Sequence, residues 1–89
     1  KAAQIAFVKS LAIWLAPKVR FNAITPALIH HSTMFNEMDP ERRTFHLSQT
    51  PTGRLTTKDD IASVVLSLCE PGWSNVNGQV IRINGGLYV

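Results

Sequence analysis

The sequence predicts an α/β fold in which helices alternate with the strands of a parallel sheet. Two observations predict it: a helical segment leads into a strand-like segment, and a second helix leads into a second strand. Strands of one sheet joined by a crossover helix run parallel, with a right-handed connection. The expected order is therefore helix, strand, helical lid, helix and strand.

The first element is a predicted helix at residues 1–16. It contains no Gly or Pro, and Pro17 ends it because the residue before a proline is pushed out of the helical region. Its apolar residues cover more than one stripe, and a helix that is apolar on most sides is covered on two sides. We expect one side to pack on the sheet and the other on a partner, such as another subunit in a dimer or tetramer.

A strand is predicted at residues 19–25, where two sets of side chains alternate until Pro26 stops the strand. Residues 27–52 follow as a long segment that contains one predicted helix, from Asp39 as N-cap and Pro40 as first helical residue to about residue 49. Long segments that leave the carboxyl end of a strand form the ligand-binding loops of α/β folds.

The next helix is predicted at residues 57–69. Thr57 and Asp60 form a capping box in which Asp replaces the usual Glu. Its expected buried face has helical spacing and consists of Ile61, Val64, Val65 and Leu68. A short apolar strand follows at residues 79–83, and Asn84-Gly85-Gly86 ends it in a turn.

Charge and composition disfavour several classes of protein. The chain has 89 residues and a formal net charge of +3, from nine basic and six acidic residues that are scattered along it. Scattered charge is typical of solvated helix faces, so we expect no nucleic-acid partner. No apolar run reaches the roughly 18 residues that span a bilayer, and we expect a cytoplasmic protein without a membrane partner. The single Cys69 excludes an intrachain disulfide and is expected to be a small buried hydrophobe on a helix.

Four stretches resemble motifs of the classical short-chain dehydrogenases/reductases, in the order and spacing of that family. They lie at residues 1–3, 15–26, 51–62 and 76–86. The first is similar to the segment that starts at the lysine of the Tyr-x-x-x-Lys motif. The second resembles the strand "LAP…(I/V)RVNAVSPG", the third the helix entry "P-x-GR-x-x-x-P-E-(D/E)-I/V-A", and the fourth "(V/I)TGQ-x-(I/L)-x-V-DGG".

The resemblance implies that residues 1–89 are the C-terminal third of one Rossmann-type, doubly wound domain. It also implies that Lys1 is both catalytic and cofactor-binding. The family's tyrosine gives or takes a proton, and a free tyrosine has a pKa of about 10. A nearby ammonium lowers that pKa, and in the family the same lysine bonds the nicotinamide ribose. By itself Lys1 is an ordinary exposed lysine, but the three downstream motifs favour the catalytic role.

The resemblance places the cofactor's nicotinamide ring beside the turn Pro26-Ala27-Leu28-Ile29, where backbone around Ile29 would hold the carboxamide. Most relatives have Gly at the position of Ala27, and Gly permits a positive φ. Ala27 therefore implies either an ordinary backbone angle or a slightly remodelled cofactor edge. His31 stands where relatives often have a Thr that bonds the cofactor, and it is larger and can titrate.

The expected substrate side contains Met34, Phe35 and Met38, since flexible apolar residues suit a lid. Plain packing of a small helix explains these residues equally well. The three histidines do not have the spacing of a metal site, and we expect no metal. In particular, adjacent histidines such as His30 and His31 point to opposite sides of an extended segment.

The sequence thus predicts part of an oxidoreductase that transfers a hydride between a nicotinamide and a small carbonyl or alcohol substrate. Two short runs, at residues 16–20 and 26–29, most resemble the pteridine reductase and dihydromonapterin reductase branch, which favours a pterin substrate and NADP(H) over NAD(H). The expected tyrosine lies upstream of Lys1, so the 89-residue piece by itself is expected to be inactive. Two alternatives are a stable fragment without catalytic activity and a basic binding module.

Overall fold

A computed structural model describes residues 2–87. The helices and strands of this part of the chain follow one another as α1 (Ala2–Trp14), β1 (Ala23–Pro26), α2 (Thr33–Glu37), α3 (Pro40–Gln49), α4 (Lys58–Leu68), a 3-10 turn (Pro71–Trp73) and β2 (Val80–Ile83). The alternation of helices with strands confirms the predicted α/β class.

The two strands form a parallel pair, as predicted. Ala23 is opposite Val80 at the amino end, and Pro26 is opposite Ile83 at the carboxyl end. Because the pairing is parallel, the carboxyl ends of β1 and β2 lie at the same edge of the sheet. The chain between the strands contains α2, α3 and α4.

The bounds of α1 and β1 differ from the predicted ones. α1 ends at Trp14 rather than at residue 16, because Lys18 N–H already closes a turn onto the Leu15 carbonyl at 3.0 Å. β1 begins at Ala23 rather than at residue 19, and it includes Pro26. A proline is tolerated there because Ala23 and Ala27 donate on the side of β2, so that in the alternation along the strand the Pro26 nitrogen faces away from β2.

The segment between the strands contains a helix that the sequence did not predict. α2 has five residues, and the Ser32 side chain caps it by accepting a hydrogen bond from Phe35 N–H at 3.2 Å. α3 starts at the predicted Pro40, but the side chain of Asp39 makes no capping hydrogen bond. The capping box of α4 is confirmed: Asp60 N–H donates to Thr57 Oγ1 at 3.1 Å, and Thr57 N–H donates to Asp60 Oδ2 at 2.8 Å.

The buried apolar core of residues 2–87 is small and consists of Ala12 and Leu28. None of the four side chains on the predicted buried face of α4 is buried, and neither is Cys69, so both predictions of burial are wrong. Val65 is exposed on α4, and Cys69 is exposed just after that helix. Both predictions fail because helical spacing tells which residues share a face, but not whether another layer covers that face. No helix within residues 2–87 is long and apolar enough to cross a membrane.

The amino end of the sheet is held by three polar side chains, Arg20, Asn22 and Asn77, which we call the amino-end network. Asn77 Nδ2 donates to the Ala12 carbonyl at 2.8 Å, and its Oδ1 accepts from Phe21 N–H at 2.9 Å. One amide therefore joins α1 to the segment that enters β1.

The other two members tie the same segment to the end of α4 and to the loop before β2. The Arg20 guanidinium donates to the carbonyls of Leu68 and Val76, at 2.8 and 3.1 Å. Asn22 donates to the Val76 carbonyl at 3.1 Å and accepts from Gln79 N–H at 3.0 Å. Because these polar atoms bond across the loop, residues 19–22 do not continue the ladder of β1.

Candidate functional site

The candidate site is the carboxyl end of the sheet, where the chain leaves β1. Leu28 is buried there, and Ile29 forms an isolated parallel bridge with Thr56. His30 N–H donates to the Thr56 carbonyl at 2.8 Å. Thr56 is also buried, and its hydroxyl donates to the Ile83 carbonyl at 3.0 Å. Thr56 thus fixes the turn after β1 to the end of β2.

The turn after β1 retains unused backbone donors. Ala27 N–H donates to the Ile83 carbonyl at 3.3 Å, which continues the ladder by one bond. Within residues 2–87, no group accepts a hydrogen bond from the N–H of Leu28 or of Ile29. Backbone N–H groups at the carboxyl edge of a parallel sheet are suited to holding the oxygen of a ligand.

The backbone angle of Ala27 is an ordinary one, which decides between the two alternatives that the sequence left open. Among the non-glycine residues in the described part, a positive φ occurs at His31, with 64°. A histidine in this left-handed region costs about 1–2 kcal/mol relative to ordinary backbone. Strained backbone of this kind is concentrated at ligand sites and switch regions.

His30 and His31 lie side by side, with ring centroids 3.8 Å apart. The prediction that they point to opposite sides is wrong, because the positive φ of His31 breaks the extended backbone on which it rested. The Phe35 ring meets both imidazoles edge to face, at 4.9 and 5.8 Å. Among the described residues, no group of three His, Cys, Asp or Glu side chains is arranged to hold a metal ion.

The residues predicted on the substrate side occupy different environments. Met34 is 68% exposed on α2, whereas Phe35 is half-buried. The Arg43 guanidinium lies 4.6 Å from the centre of the Phe35 ring, and Arg43 Nε donates to the Phe35 carbonyl at 2.8 Å. Met38 is half-buried at the end of α2. Phe35 therefore packs within the segment, and Met34 is free to contact another molecule.

The first turns of α1 border the same end of the sheet. Ile5 lines a cleft of about 220 Å³ together with Pro26, Ala27 and Asn84. Ile5 also lines a larger cleft of about 430 Å³ along β1. Lys1, the predicted catalytic residue, lies outside the described residues.

The sequence did not predict the ion pair between Arg54 and Asp60. The Arg54 guanidinium contacts both carboxylate oxygens, at 2.6 and 2.9 Å. This contact and the Thr57 N–H hold the pKa of Asp60 well below its usual range. A signal was present in the sequence, since an arginine precedes a capping aspartate by six residues.

Asn84 follows β2 and has the local role that the sequence predicted. Its Oδ1 accepts a hydrogen bond from Gly86 N–H at 2.9 Å and closes the turn after the strand.

Comparison with known proteins agrees with this geometry. Residues 1–88 match the family described as enoyl-(acyl carrier protein) reductase. The chain is 39% identical over 89 residues to the 3-oxoacyl-(acyl-carrier-protein) reductase FabG of Aquifex aeolicus (strain VF5), covering 99% of this chain and 36% of that relative. The chain therefore belongs to the short-chain dehydrogenase/reductase family, and it spans little more than a third of the length of the relatives it matches.

Solved structures share the fold. A short-chain dehydrogenase/reductase from Brucella melitensis, described as a glucose/ribitol dehydrogenase, superposes with a TM-score of 0.91 at 38% identity, covering 100% of this chain and 36% of that one. A 7α-hydroxysteroid dehydrogenase in complex with NADH and 7-oxo glycochenodeoxycholic acid superposes with a TM-score of 0.89 at 36% identity. The match covers 96% of this chain and 34% of that one. The α/β fold of the chain is thus the corresponding part of a Rossmann-type domain.

Proposed function

We propose that the protein containing this chain is an NAD(P)(H)-dependent oxidoreductase that transfers a hydride between the cofactor and a carbonyl or alcohol substrate. The observation that carries this proposal is the match of residues 1–88 to the family. The unused backbone donors at the carboxyl end of the sheet support it independently.

The chain's own residues have distinct roles in this proposal. The cofactor supplies or accepts the hydride at its nicotinamide ring. Pro26 and Ala27 form the edge beside that ring, and the N–H groups of Leu28 and Ile29 donate to its carboxamide. His31 donates a further hydrogen bond to the cofactor. The bridge between Ile29 and Thr56 supports these roles, because it holds the donors in a fixed orientation.

Lys1 is the proposed catalytic residue of this chain. Its ammonium lowers the pKa of a tyrosine that precedes it in the full protein, so that the phenol can exchange a proton with the substrate oxygen near neutral pH. Support comes from the Tyr-x-x-x-Lys resemblance. The cleft that Ile5, in the first turns of α1, lines together with Pro26 and Ala27 is a second observation in favour of this role.

NADP(H) is the proposed cofactor, because residues 16–20 and 26–29 resemble those of pteridine reductases. The family relative in complex with NADH makes NAD(H) the alternative. Titration of the full-length protein with each reduced cofactor separates the two. Tighter binding of NADPH supports the proposal, and tighter binding of NADH rejects this part of it.

The substrate is a small carbonyl compound. A 3-oxoacyl thioester is one candidate, because an FabG relative bears that name. A pterin is the second, on the resemblance of residues 16–20 and 26–29 to pterin-reducing enzymes. Met34, Phe35 and Met38 are proposed to line the substrate side. The high exposure of Met34 supports this arrangement.

We also propose that α1 packs against another subunit in a cytoplasmic homo-oligomer. Support comes from large apolar side chains on the helix, since Ile13 and Trp14 are 82% and 80% exposed. Apolar surface of this extent is typical of an interface. Neither a nucleic acid nor a membrane has a part in the proposed function.

The test is an assay of hydride transfer by the full-length protein. The decrease in NADPH absorbance is measured in the presence of a 3-oxoacyl thioester or a pterin. Replacement of Lys1 by Met is expected to lower kcat on the order of a hundredfold, the contribution typical of a proton-transfer group. The matched control is Lys9→Met on the exposed side of α1, which is expected to leave kcat unchanged.

Equal activity of both variants would reject the role of Lys1, and inactivity of the wild-type protein with every carbonyl substrate would reject the proposed function. The 89-residue piece alone is expected to show no turnover. Its intact mass, near 9.9 kDa, distinguishes it from the full protein.

A further inference from the structure

The chain contains two Asn-Gly sequences, Asn77-Gly78 and Asn84-Gly85. In this dipeptide the glycine nitrogen can attack the asparagine side-chain carbonyl carbon, since glycine has no Cβ to shield its nitrogen or restrict its backbone. The new N–C bond closes a succinimide ring as the bond to Nδ2 breaks and ammonia leaves. Addition of water reopens the ring to aspartate or isoaspartate. Water is the only added reactant, and no oxidant or reductant is required.

The structure protects the first of these sequences at every reacting group. Both ends of the Asn77 amide are engaged, Nδ2 with the Ala12 carbonyl at 2.8 Å and Oδ1 with Phe21 N–H at 2.9 Å. The attacking nitrogen is also occupied, because Gly78 N–H donates to the Phe21 carbonyl at 2.7 Å. Cyclisation at Asn77 therefore requires all three hydrogen bonds to open.

The second sequence lacks two of these three hydrogen bonds, the one from Nδ2 and the one from the glycine nitrogen. Within residues 2–87, Gly85 N–H has no hydrogen-bond acceptor, and Nδ2 of Asn84 has none. The single bond of the side chain runs from Gly86 N–H to Oδ1, at 2.9 Å. This bond holds the side chain over the following backbone.

Water can reach the second site. Asn84 is half-buried and lines the cleft of about 220 Å³ that it shares with Pro26 and Ala27. Thr52 N–H holds the carbonyl side of Gly85 at 3.1 Å and leaves its nitrogen free.

We propose that Asn84 is a site of spontaneous deamidation in the folded protein and that the fold protects Asn77. The reaction places a new negative charge in the cleft beside Pro26 and Ala27. It does not depend on the proposed oxidoreductase activity.

The experiment incubates the native full-length protein at mildly alkaline pH in heavy-oxygen water, with an aliquot unfolded in urea as reference. Trypsin cleaves after Arg82, so the two asparagines fall on different peptides, and the incorporated heavy oxygen separates deamidation in the native protein from deamidation during digestion. In the native protein, Asn84 is expected to convert at least about tenfold faster than Asn77, equivalent to about 1.4 kcal/mol. In urea the two rates are expected to be similar.

Two matched variants test whether the charge change arises at Asn84. Asn84→Gln is expected to abolish the acidic charge variant seen on isoelectric focusing, because the longer side chain does not form the five-membered ring readily. Asn77→Gln is expected to retain that charge variant as long as the protein remains folded. Conversion of Asn77 as fast as Asn84 in the native protein, or no conversion of native Asn84 while the urea reference reacts, overturns the proposal.

Discussion

The two ends of the parallel sheet use their polar groups in opposite ways. At the amino end, the side chains of Arg20, Asn22 and Asn77 donate hydrogen bonds to backbone carbonyls that are far away in sequence. At the carboxyl end, the backbone donors of Leu28 and Ile29 have no acceptor within residues 2–87. The polar groups of the first end hold the fold together, and in the proposed function the free backbone donors of the second end bind the cofactor.

The backbone shows the same difference. The positive φ at the amino end falls on Gly78, where a side chain would meet Ala12 Cβ at 3.3 Å. At the carboxyl end a positive φ occurs at His31, where the side chain makes this conformation strained. Local rules are broken mainly where a protein binds or reacts, and the positive φ of His31 is therefore consistent with the proposed cofactor site after β1.

The largest effect is expected from breaking the amino end. Asn77→Ala removes two hydrogen bonds and leaves the Ala12 carbonyl without its donor, so it is expected to lower the free energy of unfolding by about 2 kcal/mol. Urea denaturation of the full-length protein measures this change. The control is Asn75→Ala, an exposed asparagine in the same loop, which is expected to change stability by less than about 0.5 kcal/mol. Equal losses in both variants would mean that the network does not hold this end.

A smaller loss of stability is expected when Thr56, which anchors the carboxyl end of the sheet, is replaced. Thr56→Val keeps the shape of the side chain but removes the hydroxyl that donates to Ile83, at a cost of about 1 kcal/mol. The same denaturation assay applies. The matched variant is Thr44→Val, whose exposed hydroxyl donates to a carbonyl within its own helix and is expected to matter less. A greater loss for Thr44→Val would show that Thr56 is not the anchor.

Replacement of His31 by Gly is expected to leave stability nearly unchanged. The relief of about 1 kcal/mol of backbone strain offsets the greater freedom of glycine in the unfolded chain. His30→Gly is the control, because His30 has an ordinary φ, and it is expected to lower stability by about 1 kcal/mol. A thermal melt of each variant distinguishes the two, and a larger loss at His31 would show that its backbone is not strained.

A pH-dependent effect is expected at Asp60, whose ion pair with Arg54 lies at the surface. The lowered pKa means that the charged carboxylate stabilises the folded state above the unfolded pKa of about 3.9. That contribution is lost as the pH falls through the folded pKa. Asp60→Asn is therefore expected to be less stable than the wild type at neutral pH, with the difference shrinking in acid. Asp59→Asn, one residue earlier, is the control, and an equal pH dependence for both would contradict the account.

Local signals in the sequence predicted the parts of the fold that depend on local chemistry. The capping box of Thr57 and Asp60 lies within four residues, and it placed the start of α4 correctly. The start of β1 was missed because Arg20 and Asn22 bond to residues more than 45 positions away. Such long-range bonds leave no trace in the periodicity of the strand.

The local geometry around the proposed site was not predictable from the sequence, for a similar reason. Family motifs indicated the turn after β1, yet the contact between His30 and His31 depends on one backbone angle that a histidine rarely adopts. α2 was missed because five residues are too few to show a helical period, although Ser32 is a suitable N-cap.

The most direct test of this division between the two ends is the dissociation constant of NADPH, measured by calorimetry on the full-length wild type and two variants, below their unfolding temperatures. His31→Ala is expected to weaken binding about tenfold, the value of one hydrogen bond of about 1.4 kcal/mol. Asn77→Ala is expected to lower Tm while leaving the dissociation constant unchanged. Weaker binding in folded Asn77→Ala, with unchanged binding in His31→Ala, would contradict the account.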